Sequence, residues 1–229
     1  MKKKNNFLQG MFDVSPLLLP VIPFGIIFGA ISIELGFSPL MTFATSIIIF
    51  SGASQIVFFQ LLSGGASAII AITSSSVIST RHLLYGAVVA QYLSKLSLTW
   101  KIFLSYLLTD QAFAVSQDFF KKNLNDEKRH YYLLGSGLTL WIVWQITTII
   151  GILLGSVVPE ELGLTFTIPL TFMALLINYF RKKDHLFVIF LSGMLSIIFY
   201  NAPYKSYIIL SSLSSLLAIY IFYKLKSRK

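Results

Sequence analysis

Residues 67–93 read SAIIAITSSSVISTRHLLYGAVVAQYL, and past the middle of this apolar run stand Arg81 and His82. From about residue 40 to Thr80 nothing carries a formal charge. The run is as long as the roughly 17–25 residues of helix that cross a bilayer. A cation at that depth costs roughly 2.5–3.5 kcal/mol on insertion scales. Arg81 is therefore expected to face protein or water and to have a partner, which makes it the first pointer to function.

The rest of the 229-residue chain has the same character. Hydrophobic residues make up 55% and charged residues 12%, where a soluble domain carries about 25% charged residues; mean hydropathy is +0.77. The fold class this predicts is all-α, a polytopic transmembrane helical bundle forming one domain over residues 1–229. A transmembrane barrel needs alternating segments of about ten residues, and the sequence has none. With no cysteine, disulfides, thiolate nucleophiles and Cys-based metal sites are excluded. No P-loop and no metal-ligand spacing of His, Asp or Glu is present, so no cofactor is expected. The polar first thirteen residues, followed by an apolar run without a cleavage pattern, read as a signal anchor.

Eight candidate spans follow: 14–33, 39–62, 67–93, 100–117, 131–157, 163–180, 185–202 and 204–223. With both termini cytoplasmic, the inner segments hold 14 of the 18 cations, the bias expected of cytoplasmic loops. Lys95, Lys101 and Lys205 fall outside, and Arg81 lies within a span. Six spans with residues 67–117 as a re-entrant hairpin preserve the same parity, and charge does not separate the two. An internal repeat is also suggested: Gly25, Gly29 and Glu34-Leu35-Gly36 recur as Gly151, Gly155 and Glu161-Leu162-Gly163. Transporter sites lie at the interface of such repeats.

Several segments carry candidate chemistry. Pro16, Pro20 and Pro23 remove backbone donors from the first span. Pro23-Phe24-Gly25 is then either a discontinuous stretch that binds substrate or a kinked packing helix with Gly25 and Gly29 as its close-approach face. Phe50-Ser51-Gly52-Ala53-Ser54-Gln55 puts small and polar groups at mid-span. Gly52-Ala53-Ser54 is similar to the nucleophile segment of rhomboid intramembrane proteases, but a serine nucleophile also needs a base and an oxyanion hole, and Gln55 follows where a small residue is needed. Arg81 lies about 15 residues before the centre of the turn at 94–99, near position 96 or 97, and Asp110 about 14 after it. At 1.5 Å per residue both sit about 20 Å from that turn, which predicts an ion pair. The pair is either a static clamp or a substrate site in which Arg81 meets a carboxylate and Asp110 or His82 handles a proton or an ammonium group. Trp141 and Trp144, too deep for an interfacial belt, either pack the core or line an apolar pocket.

Pro23-Phe24-Gly25 with Phe28-Gly29, Phe50 to Gln55, Arg81-His82-Leu83-Leu84-Tyr85-Gly86, Leu108 to Phe113, and Trp141 to Gly155 together resemble the AzlC family, the large subunits of bacterial branched-chain amino-acid exporters. The similarity covers about Gly10 to Leu176. It implies a multi-pass protein of the bacterial cytoplasmic membrane, not an enzyme, partnered by a small membrane subunit of the AzlD type. It also implies outward, proton-driven transport of leucine, isoleucine and valine, with methionine and analogues as further candidate substrates. Export of other small organic solutes is the neighbouring reading. Ser51 stands where alanine is the commoner residue of that family.

Overall fold

A computed structural model describes residues 5–155, 183–202 and 207–226, and among these every regular element is helical. Two long helical stretches form the backbone of the bundle. The first comprises α1 (Asn6–Val14), a 3-10 turn (Ser15–Leu17) and α2 (Leu18–Glu34). The second is α9 (His130–Gly155). Both are long and apolar enough to cross a membrane. They run parallel: Phe7 and Gly10 meet Gly135 and Tyr132 at one end, and Ala30 meets Gly155 at the other. Glycine makes this approach possible. A Cβ on Gly29 would lie 2.7 Å from the backbone nitrogen of Ile152, and one on Gly155 would lie 2.8 Å from Ala30 Cα. Where lipid replaces water, such backbone proximity is the main source of helix association.

Pro23 lies inside α2 without interrupting it. The first span is therefore continuous through Pro23, with Gly25 and Gly29 on the face that meets α9. The discontinuities fall in the next three spans. Residues 39–62 divide into α3 (Pro39–Ile48) and α4 (Gly52–Ser63). Residues 67–93 divide into α5 (Ala68–Ser79) and α6 (Arg81–Leu93). The fourth span begins slightly earlier than expected and divides into α7 (Leu98–Tyr106) and α8 (Asp110–Lys122).

The packing partners give each half-helix its direction. Started by the Ser38 cap and Pro39, α3 leaves the α2 C-terminal end, and Ser46 reaches Gln145 and Thr148 midway along α9. α4 then turns back: Gly52 lies against Phe24 and Trp144, while Phe59 stacks on Phe28 and Phe37 near the starting end. α7 enters from the opposite end, with Trp100 against His130 and Tyr131, and climbs to Trp141 through Tyr106. α8 returns, Ser116 meeting Ser136 and Phe119 stacking on Tyr132. Thus α3–α4 and α7–α8 are two re-entrant hairpins entering from opposite ends. Between them α5–α6 runs the full length: Ser79 bonds Ser54 of α4, and Tyr92 lies under Arg129 just before α9. The bend at Thr80 keeps helical dihedrals.

This arrangement corrects three expectations. Residues 39–62 and 100–117 do not cross but return to the end they entered from. Residues 67–117 are not the re-entrant unit, because 67–93 crosses. The 63–66 turn and the 94–99 turn exchange ends, since α5 starts at the end where α2 finishes and α7 starts where α1 begins. The exchange removes two charge exceptions. Lys95 and Lys101 now join Lys121, Lys122, Lys128 and Arg129 at the α1 end, and the Gly64-Gly65 turn at the other end carries no charge. Gly65 has φ +80° there, which glycine adopts without strain.

A duplication is visible, with a period other than that suggested by the glycine pairs. The apex of each hairpin closes with the same three-residue turn, Ser51 N–H to Ile49 O and Thr109 N–H to Leu107 O. Gly52 and Asp110, 58 positions apart, each open the returning helix. One unit is α2 plus α3–α4 and the other α5–α6 plus α7–α8, in opposite orientations, the inverted-repeat logic seen in transporters. The more distant glycine pairs come together on the α2–α9 interface, and their acidic turn at 160–163 lies outside the described residues, as does the span at 163–180. At the C-terminal end, α10 (Lys183–Ile198) and α11 (Tyr207–Lys226) pack on each other.

Candidate functional site: a cavity at two hairpin apices

Breaking a helix at bilayer depth leaves carbonyls and amides without helical partners, and each must find one where water is scarce. The last carbonyls of α3 find side chains. Thr45 O accepts from Gln55 Nε2 at 3.1 Å, Ser46 O from Gln145 Nε2 at 3.3 Å, and Ile47 O from the Tyr106 hydroxyl. Tyr106 in turn accepts from Trp141 Nε1 at 2.8 Å and packs its ring on Phe50 of the other apex, 5.9 Å away. The mid-membrane amides therefore cap a broken helix, and Tyr106 joins the two apices.

The amide ends of the breaks face a cavity of about 620 Å³. Two helices, α4 and α8, begin at its wall without a side-chain cap, and α6 continues beside them from α5 through the Thr80 bend. Helix N-termini carry partial positive charge and suit anions. Arg81 and His82, Asp110 and Gln111, and Tyr85 form its polar wall. Phe24, Phe50, Leu140 and Trp144, with Pro20 and Val21, form its apolar wall. Phe24 meets Trp144 edge-on at 5.6 Å, and Phe28 backs Trp144 at 5.9 Å.

The expected ion pair is present: Arg81 Nη2 lies 3.2 Å from Asp110 Oδ2. The side chains are 36% and 42% exposed, so the pair opens onto the cavity rather than lying sealed in the core. Asp110 Oδ1 accepts from Tyr85 at 2.6 Å, and Tyr85 stacks on Phe113 at 4.5 Å. Arg81 Nε, Thr109 Oγ1 and Trp144 Nε1, all on cavity residues, have no hydrogen-bond partner.

The sequence-selected residues divide into three groups. Arg81, His82, Asp110, Phe24, Phe50, Ser51, Gly52 and Trp144 line the cavity. Ser54 and Gln55 lie fully buried behind it. Pro23, Gly25 and Trp141 do not line it: Gly25 packs on Thr147 and Trp144, and Trp141 points to Tyr106. The recorded partners of the Ser54 hydroxyl are Ser51 and Ser79, at 3.1 and 2.7 Å, so no histidine base is in place for a rhomboid-like nucleophile. Among the described residues no His, Asp or Glu cluster has metal-holding geometry. Sequence reasoning missed Tyr85, Thr109 and Phe113. Tyr85 follows Arg81 by one helical turn, a spacing that puts the two on one face.

A membrane protein built of long helices and re-entrant hairpins around a charged central cavity is the class these features define. The chain belongs to the AzlC family: residues 16–158 match the AzlC protein. It is 31% identical to the inner membrane protein YgaZ of Escherichia coli K12 over 80% of this chain and 76% of that protein. It is 30% identical to an uncharacterized membrane protein of Archaeoglobus fulgidus over 80% of each chain. A membrane protein of Helicobacter pylori 26695 is 24% identical over 79% of this chain and 80% of its own length. No solved structure matches the chain.

Proposed function

We propose that this chain is the large subunit of a secondary exporter that moves branched-chain amino acids out of the cell, together with a small membrane subunit of the AzlD type. The observation that carries this reading is the cavity between opposed hairpins, polar on one wall and aromatic on the other. An aliphatic amino acid needs a carboxylate site, an ammonium site and an apolar pocket. Arg81 and the uncapped helix starts at Gly52 and Asp110 supply the first. Asp110 supplies the second, and Phe24, Phe50 and Trp144 the third. A substrate carboxylate takes Asp110's place on Arg81, and Asp110 and His82 are the groups that exchange a proton as this happens.

The protein lies in the cell membrane with the α1 end facing the cytoplasm, the side to which Lys95, Lys101, Lys121, Lys122, Lys128 and Arg129 belong under the positive-inside rule. The test is export of isotope-labelled leucine from loaded cells carrying both subunits. Arg81→Ala and Asp110→Ala, expressed at wild-type level, are expected to abolish it. Undiminished export in both variants would overturn the assignment. Export of other organic solutes with leucine retained would move the substrate class.

A further inference from the structure

The two repeat units contribute unequal chemistry to the cavity. At positions 58 apart, Arg81 answers Pro23, His82 answers Phe24, and Asp110 answers Gly52. Every formal charge on the wall comes from the second unit. The first unit supplies Phe24 and the Gly52 apex, against which α9 places Trp144.

Gly52 holds a particular place in that apolar half. A Cβ built on it would lie 2.6 Å from Phe24 Cε1 and 2.7 Å from Trp144 Cη2. The two ring edges therefore rest against the backbone of the α3–α4 apex. Phe28 backs Trp144 from α2, so rings pushed away from Gly52 have the cavity as their open direction.

We infer that the substrate lies across the boundary between the two units, charged end on the α6–α8 side and side chain on the α2–α4 side, and that Gly52 sets the length of side chain admitted through the positions of Phe24 and Trp144. The inference rests on the amino-acid reading proposed above. It makes two kinds of variant separable. Loss of Arg81 weakens all amino acids alike, because every one presents the same carboxylate. Changes at Gly52 and Phe24 act according to side-chain size.

The test uses the full chain co-expressed with its small partner subunit, and export of labelled alanine, valine, leucine, methionine and phenylalanine. Gly52→Ala is expected to lower leucine and methionine relative to alanine and valine by roughly tenfold, the discrimination one methylene confers in an apolar pocket. Phe24→Leu adds no atoms, so it stays informative if Gly52→Ala folds poorly. It is expected to shift preference the other way, towards methionine and phenylalanine. Equal losses for all five substrates in both variants, with wild-type leucine export intact, would overturn the gauge and leave the amino-acid reading standing. Failure of the wild type to move any amino acid would overturn both.

Discussion

Tyr85 and Asp110 are joined by a 2.6 Å hydrogen bond across the α6–α8 contact. The carboxylate is therefore held on both oxygens, by Tyr85 on Oδ1 and by Arg81 on Oδ2. In the transport step proposed above, where Arg81 leaves for a substrate, Asp110 keeps Tyr85 as a partner at the cavity wall.

Removing that partner is expected to matter even though the ring remains. Tyr85→Phe keeps the stack on Phe113 and loses a hydrogen bond to a charged group, worth about 1.5–3 kcal/mol. Leucine export is expected to fall about tenfold at equal expression. Because the two residues hold one carboxylate, the stability losses of Tyr85→Phe and Arg81→Ala, read as melting temperatures, should be non-additive in the double variant. Additive losses in that double variant would count against a shared role.

The hairpin topology makes a labelling prediction that eight crossings contradict. The chain has no cysteine, so single cysteines report without background. Ser94→Cys, between α6 and α7, should react with an impermeant maleimide from the side of the N-terminus. Ser67→Cys, at the start of α5, should react from the opposite side. Eight full crossings reverse both results.

Gln145 closes the open end of α3, and no other side chain is recorded on Ser46 O. Gln145→Leu keeps the volume and leaves that carbonyl and the Ser46 hydroxyl with fewer partners. A stability loss of about 1–3 kcal/mol is expected, read as a lower melting temperature of the purified complex. Tyr106→Phe should instead leave global stability nearly intact and raise amide hydrogen exchange selectively at 47–51 and 107–109, since it releases one apex from the other.

The α2–α9 interface tolerates no side chain at its glycines. Gly155→Val places a Cβ 2.8 Å from Ala30 Cα, and backbone cannot step aside as a side chain would. Overpacking of this kind costs roughly 1–3 kcal/mol. A melting temperature unchanged from wild type would mean that the two helices do not pack at this distance.

The Arg81–Asp110 pair was legible before any coordinates because it depends only on helix rise and the place of one turn. The same reasoning survived an error about which end that turn occupies, since depth counted from the turn along α6 and α7 is independent of orientation. The hairpins were not legible in hydropathy, which averages over windows wider than a three-residue apex. A local signal did exist: Ser51 before Gly52 and Thr109 before Asp110 are helix-start residues in the middle of apolar runs. The three prolines of the first span left a break and a packing helix equally open, and α2 runs on through Pro23 with Gly25 and Gly29 against α9. Trp141 and Trp144 share a helix face by spacing, yet the face divides between Tyr106 and the cavity.

The half-length helices also constrain how the protein is made. α3 and α4 have 10 and 12 residues, and α7 and α8 have 9 and 13, each too short to span a bilayer alone. Their apices are held by Gln145, by the close approach of Leu107 to Gly137, and by Trp141 through Tyr106. All of these anchors lie on α9, the last of these helices to leave the ribosome. Both apices must therefore wait, unsealed within the insertion machinery or the lipid, until residue 145 or so has been synthesised, and the cavity is completed by its final wall rather than built up one hairpin at a time.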